Sequence, residues 1–261
     1  LTAFAIYQVP AVTFPRGAVI DSGNLSSNLC LNCHQGLSSI ATVNAATVGL
    51  ELDTVSEDLE FINIHNLVAG ATLYGTEVQG AYEYADKEYA GRLAHVESFN
   101  TCTQCHNHHR QEVKVGECGA CHAGVAGRDD LVNIRMDLTD YDGDGDTAEG
   151  IAGEIATIRD GLYEAIQIYA SGVAGIPIVY DPGTSPYFFG DSNGNGQLEP
   201  EEATASNGYA AWTPRLLRAA YNFHYSVKDP GAFAHNAEYV LQVLHDTLED
   251  VGGDVAGLVR P

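Results

Sequence analysis

Apolar residues recur at helical spacing in three stretches, all in the second half of the chain. In "TAEGIAGEIATIRDGLYEAIQIYAS", Ile151, Ile155, Ile158, Leu162, Ile166 and Ile168 predict one apolar face of an amphipathic helix. "TPRLLRAAYNFHYSV" opens on Thr213 before Pro214 and stops at the turn "KDPG", which predicts a second helix with Thr213 as its N-cap and Pro214 at N1. "NAEYVLQVLHDTLEDVGG" predicts a third, capped by Asn236 and closed by Gly252 and Gly253. The first half reads differently. It is rich in Gly, Asn and Ser and shows few helical periods. "AFAIYQVPAVTFPRGAVI" alternates and is rich in β-branched and aromatic residues, so it predicts a strand or two broken at Pro10 and Pro15, or an extended arm without pairing. The expected fold is mainly irregular and α, with little β. Residues 1–125, with an N-terminal extended arm, are expected to form one region, and 126–261 a helical region packed on it. A free-standing helical domain is the alternative.

Composition narrows the partners. The 261 residues carry a formal net charge of -23, which argues against nucleic acid and anionic lipid surfaces. It favours solubility outside the cell, basic partners and bound cations. No apolar run reaches the roughly 18 residues of a spanning helix, so no membrane insertion is expected. The sequence begins at Leu1 rather than Met, which reads as a processed chain.

The chemistry lies in the cysteines. All six fall in three Cys-x-x-Cys-His motifs: Cys30, Cys33 and His34; Cys102, Cys105 and His106; Cys118, Cys121 and His122. This is the attachment motif of c-type haem. Two thiols at this spacing form thioethers to one porphyrin, and the next residue offers its imidazole to the iron. A zinc site does not require histidine directly after the second cysteine. A thioredoxin-like motif would occur once, and structural disulfides would not repeat the spacing. The expected cofactors are three haem c, around which residues 1–125 are expected to wrap as a haem-wrapped core, with His34, His106 and His122 as proximal ligands.

The distal ligands must come from a limited supply. Met136 is the single methionine, whereas ten histidines less three proximal ones leave seven. The balance predicts bis-histidine iron and low potentials. His109 follows a proximal ligand by three residues in "CHNHH". His95 lies just before the second motif, and His65 opens an apolar segment of small residues suited to close approach by a flat ring. These three are the expected distal ligands, with His235 as the fourth candidate. His108, His224 and His245 are read as ordinary residues. The second and third motifs start close together, at Cys102 and Cys118, and predict neighbouring haems; the first starts far upstream, at Cys30, and predicts a haem toward another edge.

Two acidic loops predict calcium, two ions in all. In "DSNGNGQLEPEE", Asp191, Asn193, Asn195, the Gln197 carbonyl and Glu202 hold the ligand positions of an EF-hand loop, and Gly196 holds its sharp turn. In "DYDGDGDTAEGI", Asp140, Asp142, Asp144 and Asp146 alternate correctly, but the final position is Ile151. Glu149 or Glu154 is expected to substitute there.

Together "LCLNCHQG", "IHNLVAGATLYG", "YEYADKEYAGRLAH", "CTQCHNHH", "CGACH" and "WTPRLLRAAYNFHYSVKDPGAFAHNAEYVLQVLHD" resemble secreted bacterial or archaeal multihaem c-type cytochromes. The likeness covers most of residues 20 to 250. It implies electron transfer without catalysis, at the cell surface or outside the cell, with other redox proteins or extracellular electron acceptors as partners. The chain is similar in character to cytochromes that polymerise into conductive filaments, which implies itself as a head-to-tail partner, with His235 free to ligate a neighbour's haem. The alternatives are a soluble periplasmic shuttle and a multihaem reductase. A reductase needs one iron without a distal ligand, and no motif of that kind stands out. Asn24-Leu25-Ser26 is a glycosylation sequon consistent with exposure.

Overall fold

Short elements fill the first half of the chain and long helices the second. The computed structural model describes residues 9–65, 67–96 and 99–261; residues 1–8 of the expected N-terminal arm lie outside that range. The rest of the arm is a two-stranded antiparallel hairpin of β1 (Val12–Thr13) and β2 (Val19–Ile20), in register Val12 to Ile20. Helices α1 (Leu25–Cys33), α2 (Ile40–Thr47) and α3 (Ala69–Tyr74) follow, then the single turn α4 (Cys102–Cys105). A second hairpin, β3 (His106–Asn107) with β4 (Glu112–Val113), leads to the single turn α5 (Val115–Cys118). The second half holds α6 (Ile151–Tyr169), the hairpin of β5 (Ile178–Tyr180) and β6 (Phe188–Gly190), α7 (Pro214–Val227), the single turn α8 (Ala232–His235) and α9 (Ala237–Asp250).

The long helices form where the apolar spacing puts them. Thr213 caps α7 by accepting from the Leu216 N–H at 3.1 Å, with Pro214 at the first helical position. Asn236 caps α9 by accepting from the Tyr239 N–H at 3.2 Å. In α6, Ile155, Ile158, Leu162 and Ile166 are buried, but Ile168 is 74% exposed. The helical period carries the apolar face from Ile166 to Tyr169 and leaves Ile168 on the solvent side.

The composition change near residue 125 is not a break in the core. Val12, Phe14, Leu31, Val43, Ile64 and Val68 belong to the same apolar cluster as the buried faces of α6, α7 and α9. Buried Asn222 on α7 ties three segments together. Its carbonyl accepts from the Tyr82 N–H at 2.7 Å, and its amide donates to the Tyr82 carbonyl at 2.9 Å and to Thr247 on α9 at 2.8 Å. Tyr221 donates to the Gly80 carbonyl at 2.7 Å, and Tyr239 to Glu83 at 3.0 Å. These bonds fasten the strap around residues 80–90 onto the helices. No helix among the described residues is long and apolar enough to cross a membrane.

His224 is built into this core, among Phe61, Tyr180 and Tyr187. Its Nδ1 meets the Tyr180 hydroxyl at 2.8 Å and its Nε2 the side-chain Oδ1 of Asn63 at 3.3 Å. Burial, with a smaller contribution from the Lys228 charge, holds its pKa down at about 3. The unfolded chain takes up this proton near the ordinary value of 6.5, which the folded protein refuses until far lower pH. Stability is therefore lost as pH falls through that window, by up to about 1.4 kcal/mol per pH unit from this residue. In urea unfolding measured between about pH 6.5 and 4, His224→Gln should show a correspondingly flatter pH slope than the parent. Equal slopes would contradict the assignment.

Candidate haem centre and cation loops

The first Cys-x-x-Cys-His motif sits on the last turn of α1 and the second on the single turn α4, whereas the third starts at Cys118, the last residue of α5, and runs into the turn that follows. In the first, Asn24 caps α1 by accepting from the Ser27 N–H at 2.9 Å. The sequon asparagine is thus occupied by a structural role. Cys30 and Cys33 lie at the C-terminal end of α1, and the His34 N–H closes it on the Cys30 carbonyl at 2.9 Å. The His34 carbonyl then accepts from the Gly70 and Ala71 N–H groups of α3, at 2.9 and 3.3 Å. The His34 Nδ1 is buried without a hydrogen-bond partner.

The second motif docks on the first. The Cys102 N–H donates to the Ser27 hydroxyl on α1 at 3.1 Å. The Cys30 thiol faces the Cys102 sulfur; this contact raises the Cys30 pKa and lowers that of Cys102 to about 6. The expectation that the first motif lies toward another edge is therefore corrected, because tertiary packing of α1 on α4 closes the long gap in sequence. The third motif adjoins the second through the β3–β4 hairpin. The Lys114 N–H donates to the Cys105 carbonyl at 2.8 Å, and burial, followed by the nearby Cys118 sulfur, raises the Cys105 pKa. The second motif thus contacts both of the others, so the contacts run from first to second to third.

Two pairs of imidazole rings lie side by side. The rings of His106 and His235 have centroids 6.3 Å apart and planes 36° apart. Those of His95 and His122 lie 6.0 Å apart at 34°. A metal–imidazole nitrogen bond is about 2 Å, so two imidazoles on opposite sides of one metal have centroids about 6 Å apart. Both pairs match that separation, and the proximal member of each comes from a different attachment motif. The residues present therefore fit a haem iron at each pair. Burial and then the charge of His235 lower the pKa of both His34 and His106, which places these three imidazoles in one neighbourhood.

The remaining histidines stand elsewhere. His65 is exposed, on a segment whose Ile64 and Val68 press on Gly36, two residues past His34. His109 is exposed in the turn of the β3–β4 hairpin, its ring 4.2 Å from that of His108. His245 contacts Asp246 at 3.1 Å. Met136 is 81% exposed. Sequence reasoning ranked His235 below His109, because its helix entrance gave no sign of what it would face. The nearest signal was the Asp229-Pro230-Gly231 turn, which starts the chain back toward α4.

Both acidic loops take a compact turn. Asp191 accepts from the N–H groups of Gly194 at 2.7 Å and Gly196 at 2.8 Å, and Asn193 and Asn195 accept from the N–H two residues on. Glu202 folds back to accept from the Ser192 N–H and hydroxyl, both at 2.7 Å. Asp140 repeats the first pattern with Gly143 at 2.7 Å and Gly145 at 2.9 Å. Gly196 and Gly145 have φ of +76° and +90°, a region that favours glycine at this turn. Here buried Glu154 folds back, accepting from the Tyr141 and Asp142 N–H groups at 2.8 Å each and pairing with Arg135 at 2.5 Å. Carboxylate oxygens of Asp140, Asp142 and Glu154 lie within 4.8 Å of one another, as do those of Asp142, Asp144 and Glu149. Exposed Asp146 accepts from the Ala148 N–H at 2.8 Å. Asp142 Oδ2 and Glu149 Oε1 are buried without partners. Burial, then neighbouring carboxylates, raises the pKa of Glu149, and burial is the main cause of the rise at Asp142. Unpaired buried carboxylate oxygens in a crowded acidic loop fit a hard cation. The Asn-rich Asp191 loop offers fewer charges in the same arrangement.

No protein-family model matches the chain, and no solved structure does. Among curated proteins, it is 26% identical over 253 residues to the C-type polyheme cytochrome OmcB of Geobacter sulfurreducens, in two strains. It is 26% identical over 248 residues to the C-type polyheme cytochrome OmcC of the same organism. Each match covers 85% of this chain and 30% of the relative, so the chain spans about a third of the length of the relatives it matches. The three attachment motifs and this similarity over most of the chain support a multihaem c-type cytochrome.

Proposed function

We propose that the chain is an electron carrier, not an enzyme, that holds three covalent haem c groups in one relay. The observation that carries this reading is the opposition of His106 to His235 and of His95 to His122 at the separation of paired axial ligands. Cys102 and Cys105 would hold the porphyrin served by the first pair, Cys118 and Cys121 that of the second, and Cys30 and Cys33 that of His34. His65 is assigned opposite His34, because its segment packs beside the first motif. His235 takes the place given to His109 from sequence alone. Haem c supplies a one-electron iron couple when bound. The chain's own residues fix the paired imidazoles and keep the three motifs in contact. An imidazole on each side of every iron would leave no open site for a substrate, which is what argues against a reductase.

The packing of the first motif on the second and of the second on the third favours transfer along the row. A row of three is short, and long-range transfer requires the end of one chain to meet the start of the next. The proposed assembly is a head-to-tail homopolymer at the cell surface or outside the cell, since a heterologous contact that does not close makes a filament. A soluble periplasmic shuttle is the second reading, which the acidic surface also suits. His235 faces His106 within one chain, so it is not the residue proposed to reach a neighbour. Calcium in the Asp191 and Asp140 loops is proposed as structural, with Glu154 in the role of the missing final ligand of the second loop.

Three outcomes check these assignments. In holoprotein absorption and electron paramagnetic resonance spectra, His95→Ala and His235→Ala should each convert one of the haems to high spin, and His109→Ala should convert none. Unchanged spectra in the first two would sink the pairing. Removing calcium should lower Tm by about 5–10 °C, the effect of losing roughly 2–3 kcal/mol of ligand binding in a chain of this size, and leave the haem spectrum unchanged. An unmoved Tm would show that the loops hold no structural cation. Light scattering and electron microscopy of haem-loaded protein should show filaments; monodisperse monomers at high concentration would favour the shuttle.

A further inference from the structure

His235 is held by more than its backbone. Asp229, in the turn after α7, is 3% exposed, and both its carboxylate oxygens face His235 Nδ1, Oδ1 at 2.8 Å and Oδ2 at 2.9 Å. Asp229 Oδ1 also accepts from the Gly231 N–H at 3.1 Å, and its carbonyl accepts from the Ala232 N–H at 3.0 Å. The carboxylate is thus fixed to the start of the same turn that carries the histidine. On the other side the ring lies against Gly231, where a Cβ would stand 2.7 Å from His235 Cε1 and 3.2 Å from Nδ1. Any side chain at position 231 would push the ring away. With Nδ1 committed to a carboxylate and the ring wedged against glycine, Nε2 is the nitrogen left to face His106. Among the described residues, no carboxylate is hydrogen-bonded in this way to His95 or His122.

We propose that Asp229 is a positioning residue for the haem iron between His106 and His235, fixing the His235 tautomer and holding this haem's reduction potential below that of the His95–His122 haem. The inference rests on the histidine pairing proposed above. A hydrogen bond from the far nitrogen of a ligating imidazole to a carboxylate orients the ring and makes the near nitrogen a stronger donor. A buried negative charge beside the ligand also favours the oxidised, more positive iron. Because the second motif is the middle of the row, Asp229 sets the relative level of the central step and not of an end.

Redox titration of the holoprotein, followed in the visible spectrum, tests this with Asp229→Asn, which keeps an acceptor for Nδ1 and removes the charge. One of the three haems should shift upward by about tenfold in its reduced-to-oxidised ratio at a fixed potential, 59 mV for a one-electron couple, and stay low-spin. The other two should hold their potentials. Asp229→Leu, which removes the acceptor as well, should shift the same haem at least as far. If Asp229→Leu fails to load haem, the Asp229→Asn titration decides alone. His235→Ala separates the two layers of the argument. If it makes one haem high-spin while the Asp229→Asn titration superimposes on the parent curve, Asp229 is only structural and the inference is overturned. If His235→Ala leaves every haem low-spin, the pairing itself is wrong and the inference goes with it.

Discussion

One spacing constraint underlies the proposed haem centre: two imidazoles from distant parts of the chain must stand about 6 Å apart, as the rings of His106 and His235 do at 6.3 Å. His106 follows the one-turn helix α4 as its C-cap, and its partner His235 ends the one-turn helix α8. Neither turn is long enough to be stable alone. Their positions come from what holds them: α4 from Ser27 on α1, and α8 from the turn between two long, well-capped helices, α7 and α9. The helical half of the chain thus acts as the scaffold for the proposed coordination site, whose other half lies in the irregular region. This explains why the apolar core runs across the composition change instead of stopping at it.

The acidic character of the chain fits the same picture. With a formal charge of -23, the folded state carries self-repulsion that must be offset locally. Arg135 on Glu154, Arg215 on Asp53 and Asp250, and Arg260 on Asp246 place scarce cations against carboxylates that fold the chain back on itself. The Asp140 loop is also where the end of the sequence docks. The Val259 N–H donates to the Tyr141 carbonyl at 2.9 Å, and Gly143 is pressed against the Gly257 backbone. A cation in that loop, as proposed, would stabilise this docking as well as the loop.

Local signals were legible in the sequence where the physics is local. Motif spacing marked Cys30 to His122, periodicity marked α6, α7 and α9, and the Thr213 and Asn236 caps marked where two of them start. The side chains that fold back on the acidic loops were legible to different degrees. Glu202 stood at the expected position, but Glu154 reaches its loop from three residues past Ile151, inside α6, which loop spacing alone does not rank. Long-range pairing was not legible. His235 and His109 were both plausible partners by supply and neighbourhood, and only the fold puts His235 against His106 and leaves His109 in an exposed hairpin turn. The nearness of the first motif to the second was hidden for the same reason. It depends on Ser27 meeting Cys102, a contact between segments that no spacing rule connects.

The central claim is that specific histidine pairs, not merely three attachment motifs, define this molecule. Its most direct test is an anomalous difference map of holoprotein crystals recorded at the iron edge. The account predicts one peak between the rings of His106 and His235, one between those of His95 and His122, and a third beside His34. Iron peaks displaced from both histidine pairs would contradict it.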